Sequence, residues 1–474
     1  MNRVLTALRL TVLCTLYFLL QGCATSSLFT SYPDQAAVFK QAIVAPTADP
    51  IAAPAAKTAL DNVLAELNEE RESADAMLYM MERGRLLQLN NMYPDSKADF
   101  NLVISKFEEK DLASTVEVSD VAAQGSSLLV NENVIPYKGA GYERIFTHHH
   151  QAFNYLGEKD IDGASVEFRK VALEQQILLE QHEKEVAEAY EEADANNIDV
   201  STLSNEFAGL DTVAGKVKSS FQNAYTFYTS AAFWEASGEY NSALVDYKKA
   251  LEINSDSDLI KQDIARVSKK LGDRPARKDL NEPKANEGVV VVFFEDGFVP
   301  AKSEIKIPLP TFDGGLISLA FPYYDTSLWP VSQPLKAMDD NFKELAVSET
   351  VVDVGVLAVK DLKEQIPALL VRQALRAAAK YQLQKESAKQ LGIAGQLAAS
   401  AYNIISESAD RRSWLTLPHT GQVMRFNLSE GDQEVRFSTP LTETAVPLTI
   451  KAKRTTFVRV VNVNNQLITQ VYAL

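Results

Sequence analysis

Apolar and polar positions follow two periods along this chain, and the period changes past its middle. Between 60 and 88, Leu60, Val63, Leu64, Leu67, Ala74, Met77, Leu78 and Met81 recur at the spacing of an amphipathic helix. The clearest helical unit, 224–257, places small Ala231 and Ala243 and large Trp234 and Tyr247 along two such stripes. Ala152, Tyr155, Ala164 and Phe168 repeat that frame 79 residues upstream, and a weaker copy sets Gly84, Leu87, Ser96 and Phe100 a further 68 residues back. Small residues let two helices of a hairpin approach closely, and large ones fill the space between successive hairpins. The second unit runs on through Leu173, Ile177, Val186 and Tyr190, which predicts an irregular array.

The helical period stops at 271–288, a polar stretch with Pro275 and Pro283. Beyond it come β-branched and aromatic runs at 289–294, 303–308 and 316–321, and later at 423–428, 434–437, 446–451, 456–462 and 467–472. Asp296-Gly297 and Asp313-Gly314-Gly315 supply turn chemistry between the first group. An Ala- and Leu-rich helical segment, 351–408, separates the two groups of strands. The expected class is α+β: an N-terminal all-α array of helical hairpins over 57–270, a linker at 271–288, then a small antiparallel β-sandwich-like domain over 289–474. A helical hairpin at about 351–408 is expected as an insertion in that domain.

The repeated frame resembles the tetratricopeptide repeat, a unit of about 34 residues whose stacked hairpins leave a concave binding groove. At the N-terminus, Leu20-Gln21-Gly22-Cys23 follows an apolar run, 10–20, bounded upstream by Arg3 and Arg9. That pattern resembles a bacterial lipobox, with 1–22 as the signal peptide and Cys23 as the lipidation site. Ser-, Thr-, Ala- and Pro-rich residues up to 56 then read as a tether. Ala24 in place of an aspartate implies, by likeness to Gram-negative sorting, an outer-membrane anchor with the body facing the periplasm. Cys14 and Cys23 are the only cysteines, so the body after residue 23 has no disulfide and no thiolate metal site. The whole chain carries a formal charge of −16, and removing Arg3 and Arg9 with the signal takes it further negative. Such a charge disfavours nucleic acid and bare anionic lipid as partners.

The segment Asp410-Arg411-Arg412-Ser413-Trp414-Leu415-Thr416-Leu417-Pro418 is similar to a signature in TPR-bearing outer-membrane lipoproteins of Gram-negative bacteria, a family of uncharacterised function. Members accompany a lipoprotein activator of penicillin-binding proteins, so the resemblance implies a peptidoglycan or envelope-assembly context and no known activity.

Candidate chemistry is sparse. His148-His149-His150 are consecutive on a predicted helix, about 100° apart, and do not converge on one ion by themselves, so a solvated or half-packed face is expected and no metal or cofactor is assigned. Motifs of serine hydrolases, zinc proteases and phosphate-binding loops are absent. Glu295-Asp296 at a strand end reads as a turn, and the glutamates of 180–192 as a solvated helix face. Arg372, Arg376 and Lys380 recur every four residues as a basic stripe able to dock phosphate headgroups or an acidic partner, although a solvated stripe pairing with local acids is the ordinary outcome. No catalytic residues are assigned, and an enzyme is not expected.

The function expected is that of a lipid-anchored periplasmic adaptor whose groove binds another envelope protein or peptide. Tyr155, Phe168, Tyr225, Tyr228 and Trp234 are its candidate contacts, with hairpin packing as the other role open to them. The alternative is a structural or cell-wall-binding lipoprotein whose β-rich half contacts peptidoglycan; a carboxylate hydrolase ranks third.

Overall fold

The computed structural model describes residues 31–44, 52–116, 133, 135–195, 207–278, 280–310, 316–406 and 408–474. The signal segment 1–22 and Cys23 lie outside the described residues. The chain mixes helix and sheet, 53% and 21%, and is α+β in class.

The helices are α1 (Tyr32–Gln41), α2 (Ala52–Glu69), α3 (Ala76–Leu89), α4 (Tyr93–Val116), α5 (Gly141–Gly157), α6 (Ile161–Ala195), α7 (Ala208–Ala214), α8 (Ala224–Ala236), α9 (Tyr240–Ile253), α10 (Asp258–Lys270) and, among the strands, α11 (Val354–Ser406). The pairs α3/α4, α5/α6 and α8/α9 pack as hairpins, and the small residues of the repeated frame sit where they meet. At Gly84 a Cβ would stand 2.8 Å from the Phe100 ring, and the Ser96 hydroxyl donates to the Gly84 carbonyl at 2.7 Å. Asn223 caps α8, its side-chain oxygen accepting from the backbone N–H of Tyr225 and Thr226.

Three parts of the sequence-based picture need correction. Residues 23–56 are not tether throughout: α1 buries Ala36 and Phe39 in the core, followed by Ile43, and the Tyr32 hydroxyl donates to Glu82 at 2.8 Å. The insertion is not a hairpin but one helix, α11, whose 53 residues span about 80 Å at 1.5 Å each. Gly392 and Gly395 lack the Pro or turn partner that would end a helix, and a lone glycine costs only about 1 kcal/mol there. The β-rich part is also not purely antiparallel.

Strands β1 (Glu287–Asp296), β6 (Glu349–Asp353), β7 (Thr420–Ser429), β10 (Thr455–Val463) and β11 (Gln466–Ala473) form a five-stranded sheet in the order β11-β10-β1-β7-β6. Its central pair, β1 with β10, is parallel, Val289 lying opposite Thr455 and Asp296 opposite Asn462. Strands β4 (Lys336–Met338), β5 (Glu344–Val347), β8 (Gly431–Ser438) and β9 (Glu443–Ile450) make a second sheet in the order β5-β4-β8-β9. A separate hairpin joins β2 (Ser303–Pro310) and β3 (Leu316–Tyr323).

Side chains alternate across β1, as strand geometry requires. Val290, Val292 and Phe294 enter a core shared with Val435, Phe437, Val446 and Leu448 of the second sheet. Val289, Val291 and Phe293 enter the opposite core, which runs continuously into the helices from Tyr32 to Val267. The 271–288 connection therefore does not separate two cores.

Candidate functional site

On the helix-facing side of β1 the residue after Phe294 is Glu295, wholly buried. Arg459 on β10 donates from Nε to its Oε1 at 2.7 Å, and Arg85 on α3 pairs with its other oxygen. The Arg459 guanidinium also donates to Gln88 Oε1 at 2.7 Å and to His150 Nδ1 at 2.9 Å. Gln88 passes the network to Asn154 at 2.8 Å, and Gln470 on β11 donates to the Gln88 carbonyl at 2.8 Å. One polar cluster thus joins α3 and α5 to three adjacent strands.

Its charge states follow from its surroundings. Burial would raise the Glu295 carboxyl, but Arg459 and Arg85 outweigh it and hold the group at about 2. Burial lowers Arg85 to about 10 and His149 to about 3, and His150 also lies well below its ordinary value, through burial and the two arginines. Because a guanidinium can only donate, His150 Nδ1 is the acceptor and its proton sits on Nε2. His149 packs among aromatic rings, 5.1 Å from Phe153 and 5.3 Å from Tyr225.

Among the described residues, His149, His150 and Glu295 are the one group whose ligand atoms gather within 4.8 Å, close enough to consider a metal ion. The donor set does not suit one. Both Glu295 oxygens and His150 Nδ1 already face guanidinium groups, and a dication would stand beside two fixed positive charges in a low-dielectric interior. The cluster is built as an ion-pair junction.

A second junction lies toward α10. Glu235 of α8 accepts two hydrogen bonds from Arg266 of α10, both at 2.8 Å, and two from Arg425 of β7, at 2.9 and 3.1 Å. Against the opposing effect of burial, Arg425 and Arg266 drive the Glu235 carboxyl far below its usual range.

Between the helices and the sheet runs 408–419, the segment that carries the lipoprotein-like signature. The Trp414 N–H donates to Glu143 at 2.7 Å, and the N–H groups of Leu415 and Thr416 donate to the two oxygens of Glu82 at 2.7 and 3.2 Å. Arg412 reaches Asp75 at 2.6 Å and the Ile135 carbonyl at 2.9 Å. The buried Trp414 ring lies 5.8 Å from Phe100 and 5.6 Å from His150. The helices hold this strap by its backbone: the carboxylates of Glu143 and Glu82 take the N–H groups of Trp414, Leu415 and Thr416, where the chain turns. Glu82 is raised by burial, against the hydrogen bonds from Thr416, Tyr32 and Leu415 that favour its ionised form.

Most of the candidate groove contacts take the other role open to them, packing within the chain. Phe168, Tyr225, Tyr228 and Trp234 are buried, and only Tyr155 is half exposed, its ring under Lys97 Nζ at 4.9 Å. Tyr225 meets Phe293 of β1 at 6.3 Å, Phe168 lies tilted against Phe233 at 4.8 Å, the Tyr228 hydroxyl donates to Asp263 at 2.7 Å, and Trp234 Nε1 donates to Asp246 at 3.0 Å. In this conformation an outside partner does not touch the four buried rings. The basic stripe is likewise not a solvated one: Arg376 is buried and Arg372 half-buried, because the first part of α11 packs on α6, α7 and β3. The side chain of Lys380 lies outside the described set. The three consecutive histidines are all buried, His148 bonding Glu167 at 2.7 Å, because α5 is enclosed by α4, α6 and the strap. The glutamate-rich end of α6 does face solvent at Glu180, Glu188 and Glu191.

Sequence reasoning missed Glu82, Arg85, Glu143 and Arg459 as site residues. The available signal was a charge in an apolar setting: Glu82 and Arg85 interrupt a run of Met and Leu, and Arg459 interrupts Phe457-Val458 and Val460-Val461. Comparison with known proteins adds no precedent: no family model matches the chain, and no curated protein or solved structure is matched by it.

Proposed function

We propose that the protein is a lipid-anchored scaffold of the Gram-negative envelope, a TPR-like array joined to a β-sandwich-like body, which meets its partners on its outer surface. The lipobox-like Cys23 supports the anchor, and the small and large residues at the meeting faces of α3/α4, α5/α6 and α8/α9 support the TPR-like reading. The observation that carries the proposal is the strap: Asp75, Glu82 and Glu143 of the helical half bind residues 412–416 of the chain itself, so these acids are already engaged and support a scaffold over an open peptide receptor. Recognition then falls to surfaces that remain exposed, and the array serves to hold the sheets in place. An envelope-assembly role, suggested by the likeness of 410–418 to TPR-bearing lipoproteins, fits a scaffold better than an enzyme.

The test is in-cell crosslinking of the acylated protein, with Cys23→Ser as the control without an anchor. Photo-crosslinkers at exposed Phe342 and Tyr190 are expected to capture an envelope protein or peptidoglycan fragments, and one at buried Tyr228 to capture only the chain itself. Capture of a foreign protein from Tyr228 would restore the open-groove adaptor.

A further inference from the structure

The three most exposed large apolar side chains among the described residues are Val331 (81%), Leu328 (78%) and Leu441 (74%). Hydrogen bonds and strand register bring all three to one end of the sheets. Strand β1 finishes there at Asp296, whose carboxylate accepts from the Ser332 hydroxyl at 2.9 Å and the Gln333 N–H at 3.1 Å, so the loop bearing Leu328 and Val331 lies at that end. Lys336, which opens β4, stands opposite Ser438, the last residue of β8. The β8–β9 turn with Leu441 therefore leaves from the same end.

The first described helix is tied there as well. Asn464, in the β10–β11 turn just past the Asp296/Asn462 pair, donates to the carbonyls of Lys40 and Ile43 at 2.8 and 3.0 Å, fixing the C-terminal end of α1. Tyr32 at its other end bonds Glu82, which holds Leu415 and Thr416 shortly before β7 begins at Thr420, opposite Asp296. The chain from Cys23 thus enters at the end that carries the exposed apolar tips. The eight residue-to-residue steps from Cys23 to Ser31 reach at most about 28 Å.

We infer that this end is a membrane-contact rim, in which Leu328, Val331 and Leu441 enter the interfacial layer of the bilayer that holds the lipid anchor. The inference rests on acylation of Cys23, as proposed above. A bilayer is the occupant because so short a leash keeps it permanently within reach of this end. Trp329 sits between Leu328 and Pro330, half-buried against His419 at 5.5 Å and Tyr324 at 6.2 Å. An amphipathic ring held at such a margin suits the headgroup boundary, where tryptophan concentrates. The contact is apolar, so high salt does not release it, unlike a polybasic attachment.

The full acylated chain would be bound to vesicles of phosphatidylethanolamine and phosphatidylglycerol with brominated acyl chains, and tryptophan emission followed. Trp234 and Trp414 are buried, so quenching by bromine reports Trp329, and Trp329→Phe is the assignment control. Expected is loss of the Trp329 emission, unchanged in high salt and abolished by combined Leu328→Asp, Val331→Asp and Leu441→Asp, whose exposed positions leave the fold intact. Flotation with the vesicles but no quenching would overturn the rim and leave the anchor standing. Failure of the wild-type chain to float would overturn the anchor itself, and the rim with it.

Discussion

The two faces of β1 bury nearly the same kind of surface up to Phe294 and then part company. Toward the second sheet, Val290, Val292 and Phe294 join a cluster of Val, Leu, Ile, Phe, Met and Ala whose buried polar neighbours Gln422 and Ser348 hydrogen-bond to each other. Toward the helices, Val289, Val291 and Phe293 give way to Glu295, two arginines and a pair of neutral histidines. An apolar interface tolerates small slips, because hydrophobic attraction has no direction. A buried carboxylate held by two guanidinium groups is satisfied in one alignment only, and any slip leaves bare charge in the interior. The sheets are held to each other by area, and the array is held to the sheet by position.

That contrast predicts unequal costs for mutation. Glu295→Ala strands two buried guanidinium groups and should destabilise the chain by about 4 kcal/mol in urea titration; a loss under 1 kcal/mol would mean that the junction is not the lock described. Acid should act on the same face. The folded chain holds Glu295 near 2, below its unfolded value, so its contribution is complete above about pH 5 and is lost as pH falls toward 2. For that group the loss is roughly 3 kcal/mol. His149 is neutral when folded and protonates below about 6.5 when unfolded, which pulls in the same direction. Glu295→Gln should remove the part of the pH dependence of the urea midpoint below pH 5 that this group supplies; parallel profiles for the two proteins would contradict the assignment.

On the other face, Leu448→Ala should cost about 2 to 3 kcal/mol at every pH, since it removes only packing, on the edge strand β9 where neighbours partly relax. A pH-dependent cost there would blur the distinction between the faces. The smallest effect is local: Asn223→Ala removes the cap of α8 and should cost about 1 kcal/mol, measured as a shift in thermal midpoint.

The sequence disclosed these faces unequally. Helix hairpins were legible because Gly84 against Phe100 and Ala231 against Tyr247 obey a fixed spacing that needs no knowledge of the rest of the chain. The strands of β7 to β11 were legible from alternation and turns. Pairing was not: the paired residues of β1 and β10, such as Val289 and Thr455, lie 166 positions apart, and nothing local to either strand states that they run parallel. The aromatic residues of the array were visible, but a ring that faces a foreign peptide and one that faces the chain's own sheet have the same sequence signature. Likewise Glu295-Asp296 carries the mark of a strand end, and Asp296 does bind the following loop through Ser332 and Gln333. That Glu295 meets Arg85, 210 residues away, is a property of the assembled fold. The 410–418 segment stood out as a motif; its role as the strap emerges only with the acids that hold it.

The central claim is that the array and the sheets are one body, locked by the strap and the Glu295 junction. Hydrogen exchange of the full chain, resolved by segment in rising denaturant, tests it most directly. Amides of α8 in the array and of β8 in the second sheet are expected to lose protection in a single transition with the same midpoint. Opening of α8 and the strap at low denaturant while β8 stays protected would contradict the lock and free the groove for a partner.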